Sequence, residues 1–232
     1  LTVVSCDGRG WVDPDDIVRA WQANTSLVTL SHASNVTGVT QEVESIVKVA
    51  REREALSLLD ASQSIGHVAV SQYESIADIV VSPGHKWLMG MHGIAVLYAR
   101  QGIHFDPLIQ GGTGSTSESL EMPVEMQDQV EVGTIDFPAA AALLAGCRWL
   151  KEERLESVAA ACKGYAQACY DELSDIRGVR VITPDPTSGV LGPPIISMVC
   201  DGYSPVEVAA LFEQIAGVQV RSGSVSYTHL RA

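Results

Sequence analysis

The sequence predicts an α/β fold with a largely parallel sheet, and three observations carry that prediction. Apolar runs of strand length, such as "SLVTLSHAS" (26–34), "ADIVVS" (77–82) and "GIAVLYA" (93–99), alternate with stretches of helical period. The first of these stays apolar almost to its end, as expected of a strand buried on both faces. The composition is that of a globular chain, with 46% hydrophobic and 19% charged residues among 232.

Taken in order, "LTVVS" (1–5) reads as a strand and "CDGRG" as a turn. Asp13 is placed to cap a helix whose first position is Pro14. After the strand at 26–34, "TQEVESIVKVARERE" sets Val43, Ile46, Val47 and Ala50 at helical spacing, with acids in its first turn. "ALSLLD" is a further strand, a short helical stretch lies near "SQYESI", and "ADIVVS" and "GIAVLYA" complete the strands of this half. Residues 101–135 change character, and "QGGTGSTSESLEMP", Gly- and Ser-rich and without period, marks a long loop of the kind that serves function. A long helical stretch from Phe137 to Asp175 leads into a second unit, with strands "GVRVITP", "PIISMVC" and "GVQVR" and the helix "SPVEVAALFEQIA". Two lobes are expected, 1–140 and 141–232.

Several functions are excluded at this level. A net charge of −13 with scattered acids is not a nucleic-acid surface. No apolar run approaches the ~18–20 residues of a membrane span, and no secretory signal opens the chain. Cys6, Cys147, Cys162, Cys169 and Cys200 are widely spaced, with no CxxC pair and no metal-like histidine spacing. They are expected to be reduced and mostly buried, in a cytoplasmic protein without a metal site. "GGTGSTSES" lacks the lysine that ends a phosphate-binding P-loop and opens no helix.

The chemistry gathers at three strand ends, because ligands of open α/β sheets bind beyond the strands' carboxyl ends. "SHASNVTG" brings His32 and Asn35, "LLDASQS" brings Asp60 and Gln63, and "SPGHKW" brings His85 and Lys86. A lysine at the floor of a cleft is partly desolvated, which makes its amine a usable nucleophile toward carbonyl compounds, pyridoxal phosphate included. That cofactor needs an acid at its pyridine nitrogen to draw electrons. Asp60, closing an apolar strand 26 residues before Lys86, is the candidate.

"VTLSHASNVTG", "SLLDASQSIGHVAV", "ADIVVSPGHKWLMGMHGIAVLYAR" and "VEVGTIDF" resemble the class V aminotransferases and, within them, the cysteine desulfurases. The resemblance implies a pyridoxal 5'-phosphate enzyme of fold type I: part of the large, mostly parallel-sheet domain followed by a small C-terminal α/β domain. It implies a homodimer that takes L-cysteine to L-alanine and passes the sulfur, as a persulfide, to an acceptor protein. Lys86 would hold the cofactor and shuttle protons, Asp60 would pair with the ring nitrogen, and Gln63 with the phenolic oxygen. Asn35 would line the ring or the substrate, His85 would meet the phosphate, and Thr134 would reach the phosphate of the partner subunit.

The resemblance also leaves alternatives. An aminotransferase or lyase acting on another amino acid would share this set, and an inactive fragment would share its sequence. Pro83 stands where the family has a phosphate-binding Ser or Thr, so that contact is lost or passes to Ser82. "GMHG" replaces the common "GPxG". The family implies an N-terminal portion ahead of Leu1 and a loop cysteine near Ser226, where "SVSYTHLRA", from about 224, reads as foreign. None of the five cysteines is nominated as the nucleophile. His32 is either structural or in the site, and Arg221 either meets a substrate carboxylate or lies on an edge strand. His67, His92 and His104 are assigned nothing.

Overall fold

The computed structural model describes residues 1–67, 76–114, 119, 121–188 and 192–223. At its centre a four-stranded sheet runs in the order β1 (Leu27–Ser31), β2 (Leu56–Asp60), β3 (Ile79–Pro83), β4 (Ala95–Ala99). β1, β2 and β3 are parallel and β4 is antiparallel to β3. The first three strands therefore deliver their carboxyl ends to one edge. A separate two-stranded antiparallel sheet joins β5 (Val179–Val181) to β6 (Met198–Cys200).

Local chemistry explains where the helices start. α1 (Pro14–Ala20) opens on Asp13, whose carboxylate accepts the Asp15 N–H at 2.9 Å, with proline in the first turn. α2 (Val43–Glu52) buries Val43, Ile46, Val47 and Ala50 against the sheet, one face at the spacing its sequence sets. Burial of each Val or Ile there contributes roughly 1.5–3 kcal/mol. Val43 and Val47 join Leu59, Ala61, Ile65, Val80, Leu88 and Leu150 in one core, which fixes the height of the β2 and β3 ends. α3 (Met126–Val130) follows the Gly/Ser-rich stretch, in a part of the sequence given no element of its own. α4 (Phe137–Glu152) and α5 (Leu155–Ser174) divide the long helical stretch at Arg154, which turns left-handed with φ 58°. α6 (Pro205–Leu211) carries a reciprocal capping box between Ser204 and Glu207 and runs into a π turn at Phe212–Ala216.

Four expectations are corrected. Residues 1–5 and 217–221 are irregular rather than strands, each lacking a neighbour to complete a ladder among the described residues. Among the described residues β1 pairs with β2 alone, and its residues alternate between exposed and half-buried rather than being covered on both faces. The five thiols are free, but Cys6, Cys147 and Cys169 are exposed and Cys162 and Cys200 half-buried. Three of them sit on α4 and α5, whose buried residues are Ala139, Gly146, Leu150 and Ala166. The stretch "SQYESI", apart from Ile76, and the tail from 224 lie outside the described residues. Among those described, no helix is long and apolar enough to cross a membrane.

At the sheet's opposite edge, a carboxylate unmarked by any sequence motif sets strand register. Asp78 Oδ2 accepts the backbone N–H of Ser57 at 2.9 Å and its hydroxyl at 2.7 Å, while Oδ1 accepts from Arg100 Nε at 2.7 Å. β2, β3 and β4 are thereby clamped at one end so that Asp60 and Val81 come abreast at the other. Burial pushes the Asp78 carboxyl up, and the Ser57 hydrogen bonds with the Arg100 guanidinium outweigh it, holding the group below the ordinary aspartate value. Such a group stabilises the fold above its unfolded-state value, about 4, and that contribution is lost as pH falls through the lower folded-state value. Asp78→Ala should lower stability by about 2–3 kcal/mol at neutral pH, since it strands two buried donors while Arg100 stays half in water. Urea unfolding of both proteins across pH 7 to 3 checks this. The gap should narrow below pH ~4, and a pH-independent gap would contradict the clamp.

Candidate active site

The parallel register sets Ser31 beside Asp60 and Asp60 beside Val81. The segments that follow β1, β2 and β3 therefore leave the sheet side by side. Asp60, half-buried, closes β2, and its Oδ1 accepts the Ser62 N–H at 2.9 Å, turning the chain sharply. His32 follows β1 and is tied to the same place, since its N–H donates to the Asp60 carbonyl at 2.9 Å. Burial lowers the His32 imidazole to about 4, so it is neutral at physiological pH and offers no cation to a phosphate. Asn35 lies half-buried in a tight turn, where Ser34 Oγ accepts the N–H groups of Val36 and Thr37 at 3.1 Å each.

β3 ends at Pro83, and Gly84 leads straight into His85, Lys86 and Trp87. Trp87 joins this loop to the one after β2. Its indole Nε1 donates to Gln63 Oε1 at 3.1 Å, and His67 packs edge-on against its ring at 4.3 Å. Gly66, at φ 93°, lies so close that a Cβ there would sit 2.5 Å from the Trp87 carbonyl oxygen, so the contact demands glycine. An indole N–H can only donate, which fixes the Gln63 amide oxygen toward Trp87 and leaves the NH₂ as that side chain's other pole.

Asp60, Gln63, His85 and Lys86, with Asn35 behind β1, are thus gathered on one edge. Thr134 is not part of that gathering: it is exposed in the irregular segment between α3 and α4. One expectation about Lys86 is corrected. Both His85 and Lys86 are exposed, because they ride a loop beyond the strand end, so burial does not desolvate the amine. Ser82 does not replace the donor lost at Pro83 either. It is buried, and its hydroxyl turns back to the Pro83 carbonyl at 3.4 Å. Arg221 is exposed in an irregular segment and lies on no edge strand. The Gly/Ser-rich loop is described only in part, with residues 115–118 and 120 outside the described residues.

Three residues of this region carried no assignment in the sequence. Trp87 could have been singled out as a large aromatic placed directly after the lysine. His67 and His92 had no local signal, since their partners Trp87 and His85 are brought to them by the fold. A cavity of about 730 Å³ lies elsewhere, along β1 and α1, and none of these site residues lines it.

The donors suit pyridoxal phosphate: an amine for its aldehyde, a carboxylate for its ring nitrogen, an amide NH₂ for its phenolic oxygen and an imidazole for its phosphate. The sequence matches the aminotransferase class-V family over residues 1–231. The chain belongs to that family. It is 31% identical over 228 residues to a probable cysteine desulfurase of Methanothermobacter thermautotrophicus, a match covering 96% of this chain and 56% of that protein. A probable cysteine desulfurase of Mycobacterium leprae is 31% identical over 218 residues, covering 92% of this chain and 51% of its own length. The apo structure of a cysteine desulfurase from Thermococcus onnurineus superposes with TM-score 0.80 at 30% identity, covering 96% of this chain and 56% of that one. The chain spans about half the length of the curated relatives it matches. Its fold is that of these fold-type-I enzymes, mixed α/β with a mostly parallel sheet.

Proposed function

We propose that this chain forms the lysine-bearing part of a pyridoxal-phosphate-dependent cysteine desulfurase, which takes L-cysteine to L-alanine and hands the sulfur to an acceptor protein. The observation that carries this is the register of β1, β2 and β3, with the Gln63–Trp87 hydrogen bond tying the last two loops together. When bound, the cofactor supplies an electron sink that labilises bonds at the amino acid's α carbon. Lys86 binds the cofactor's aldehyde carbon and moves the proton at the substrate's α carbon. Asp60 keeps a proton on the ring nitrogen. Gln63 orients the ring through its NH₂, Asn35 borders it, and His85 takes the phosphate. Thr134, exposed on its own subunit, serves the partner's phosphate in a homodimer. The enzyme works in the cytoplasm, where five unpaired thiols stay reduced, and its two lobes divide near residue 140.

Incubation with pyridoxal phosphate followed by borohydride reduction should leave a stable adduct on Lys86, read by peptide mass spectrometry. An unmodified Lys86 overturns the proposal and leaves a chain that takes no cofactor. L-cysteine and a small-thiol acceptor given to the loaded protein should yield alanine and the persulfide of that thiol, the substrate's Cβ–S bond breaking as the acceptor's S–S bond forms. A 2-oxo acid in their place would assign the site to transamination instead.

A further inference from the structure

We infer that His92 joins His85 in a two-imidazole seat for the cofactor's phosphate, a role that rests on the function proposed above. The two rings stack with centroids 4.1 Å apart and planes 28° from parallel, and both are exposed. The fold brings them together deliberately. Gly84 donates its N–H to the Ile94 carbonyl at 2.9 Å, and Gly90 donates to the Gly84 carbonyl at 2.8 Å. The residues between them close on themselves, with Met89 held left-handed at φ 58°.

Two further observations point to an anion. Residues 79–105 contain no aspartate or glutamate, the longest such run in a chain of net charge −13, and the loop after β3 carries His85, Lys86 and His92, while Arg100 is taken by Asp78 at the far end of the sheet. An anion arriving at this loop meets no carboxylate of its own segment, and Asp136, whose Oδ2 lies 3.5 Å from where a Gly93 Cβ would stand, is engaged through Oδ1 in capping α4. The strand end beneath it is also short of donors: Pro83 has neither hydroxyl nor N–H, and the Ser82 hydroxyl is turned back to a carbonyl at 3.4 Å. A phosphate needs charge-assisted donors to be held. Each imidazole has an N–H to give, and two stacked rings can give theirs to two oxygens of one tetrahedral anion. His92 thus supplies from the loop what Pro83 withholds from the strand.

The test compares binding of pyridoxal phosphate with binding of pyridoxal, which lacks the phosphate, by absorbance titration of the full chain. His92→Ala should weaken pyridoxal phosphate about tenfold and leave pyridoxal unchanged. His92→Phe keeps a ring against His85 but has no N–H, and it should lose as much. An equal loss for both ligands, or a His92→Phe protein that binds like the parent, overturns the inference. If the parent binds neither compound, the proposed function fails, and inorganic phosphate then judges the seat by itself. The C2-proton NMR signals of His85 and His92 should move together on titration, and a stationary His92 signal refutes the seat.

Discussion

Lys86→Ala should lower the turnover of L-cysteine by about three orders of magnitude or more, the range lost when a positioned proton-transfer group is deleted. Among the described residues Lys86 is the only amine on the gathered edge, since the other basic side chains of the loop, His85 and His92, are imidazoles. An imidazole cannot replace a primary amine in binding an aldehyde. Because the side chain is exposed and touches none of the core, its removal should leave the unfolding midpoint unchanged. Lys86→Arg should be as inactive as the alanine variant, since a guanidinium keeps the charge but stays protonated. A small primary amine added to Lys86→Ala should restore part of the rate, which a purely structural lysine would not permit. Steady-state rates of the three proteins, with and without ethylamine, decide the matter. Unchanged turnover in the alanine variant removes Lys86 from the chemistry.

The features legible in the sequence were those that local chemistry determines. The Asp13 cap with Pro14 and the apolar face of α2 are each written within two turns of helix, and each forms. The strand ends bearing Asp60 and Lys86 were legible too, because parallel strands of an α/β sheet must present their carboxyl ends together. Pairing partners were not. Whether β1 lies at the edge or the centre depends on neighbours that its own residues do not name, so its exposure was misjudged. The same holds for residues 1–5, apolar enough for a strand but without a ladder to join among the described residues. The break at Arg154 carries neither proline nor glycine, so nothing local marked it. Asp78, Trp87 and His92 act through residues 21, 24 and 7 positions away in the chain, and only the folded geometry shows those contacts.

Asp60→Asn should lower turnover by about 10²–10³-fold, the usual cost of deleting one preorganised electrostatic partner of a developing charge. The carboxylate's role is to keep a proton on the ring nitrogen, and an amide of the same shape cannot supply the charge that does so. The substitution separates this role from a structural one. The turn that Asp60 caps needs only an oxygen to accept the Ser62 N–H, 2.9 Å away, and asparagine can provide that. The backbone carbonyl that accepts from His32 is untouched by the change. Folding and cofactor uptake should therefore survive while the rate collapses, and Asp60→Glu, which retains the charge on a longer arm, should recover part of it. Parallel measurements of the urea midpoint, cofactor affinity and rate distinguish the cases. A variant that loses stability and rate together would make Asp60 a turn former only, whereas one that loses rate alone identifies the acid that works opposite Lys86.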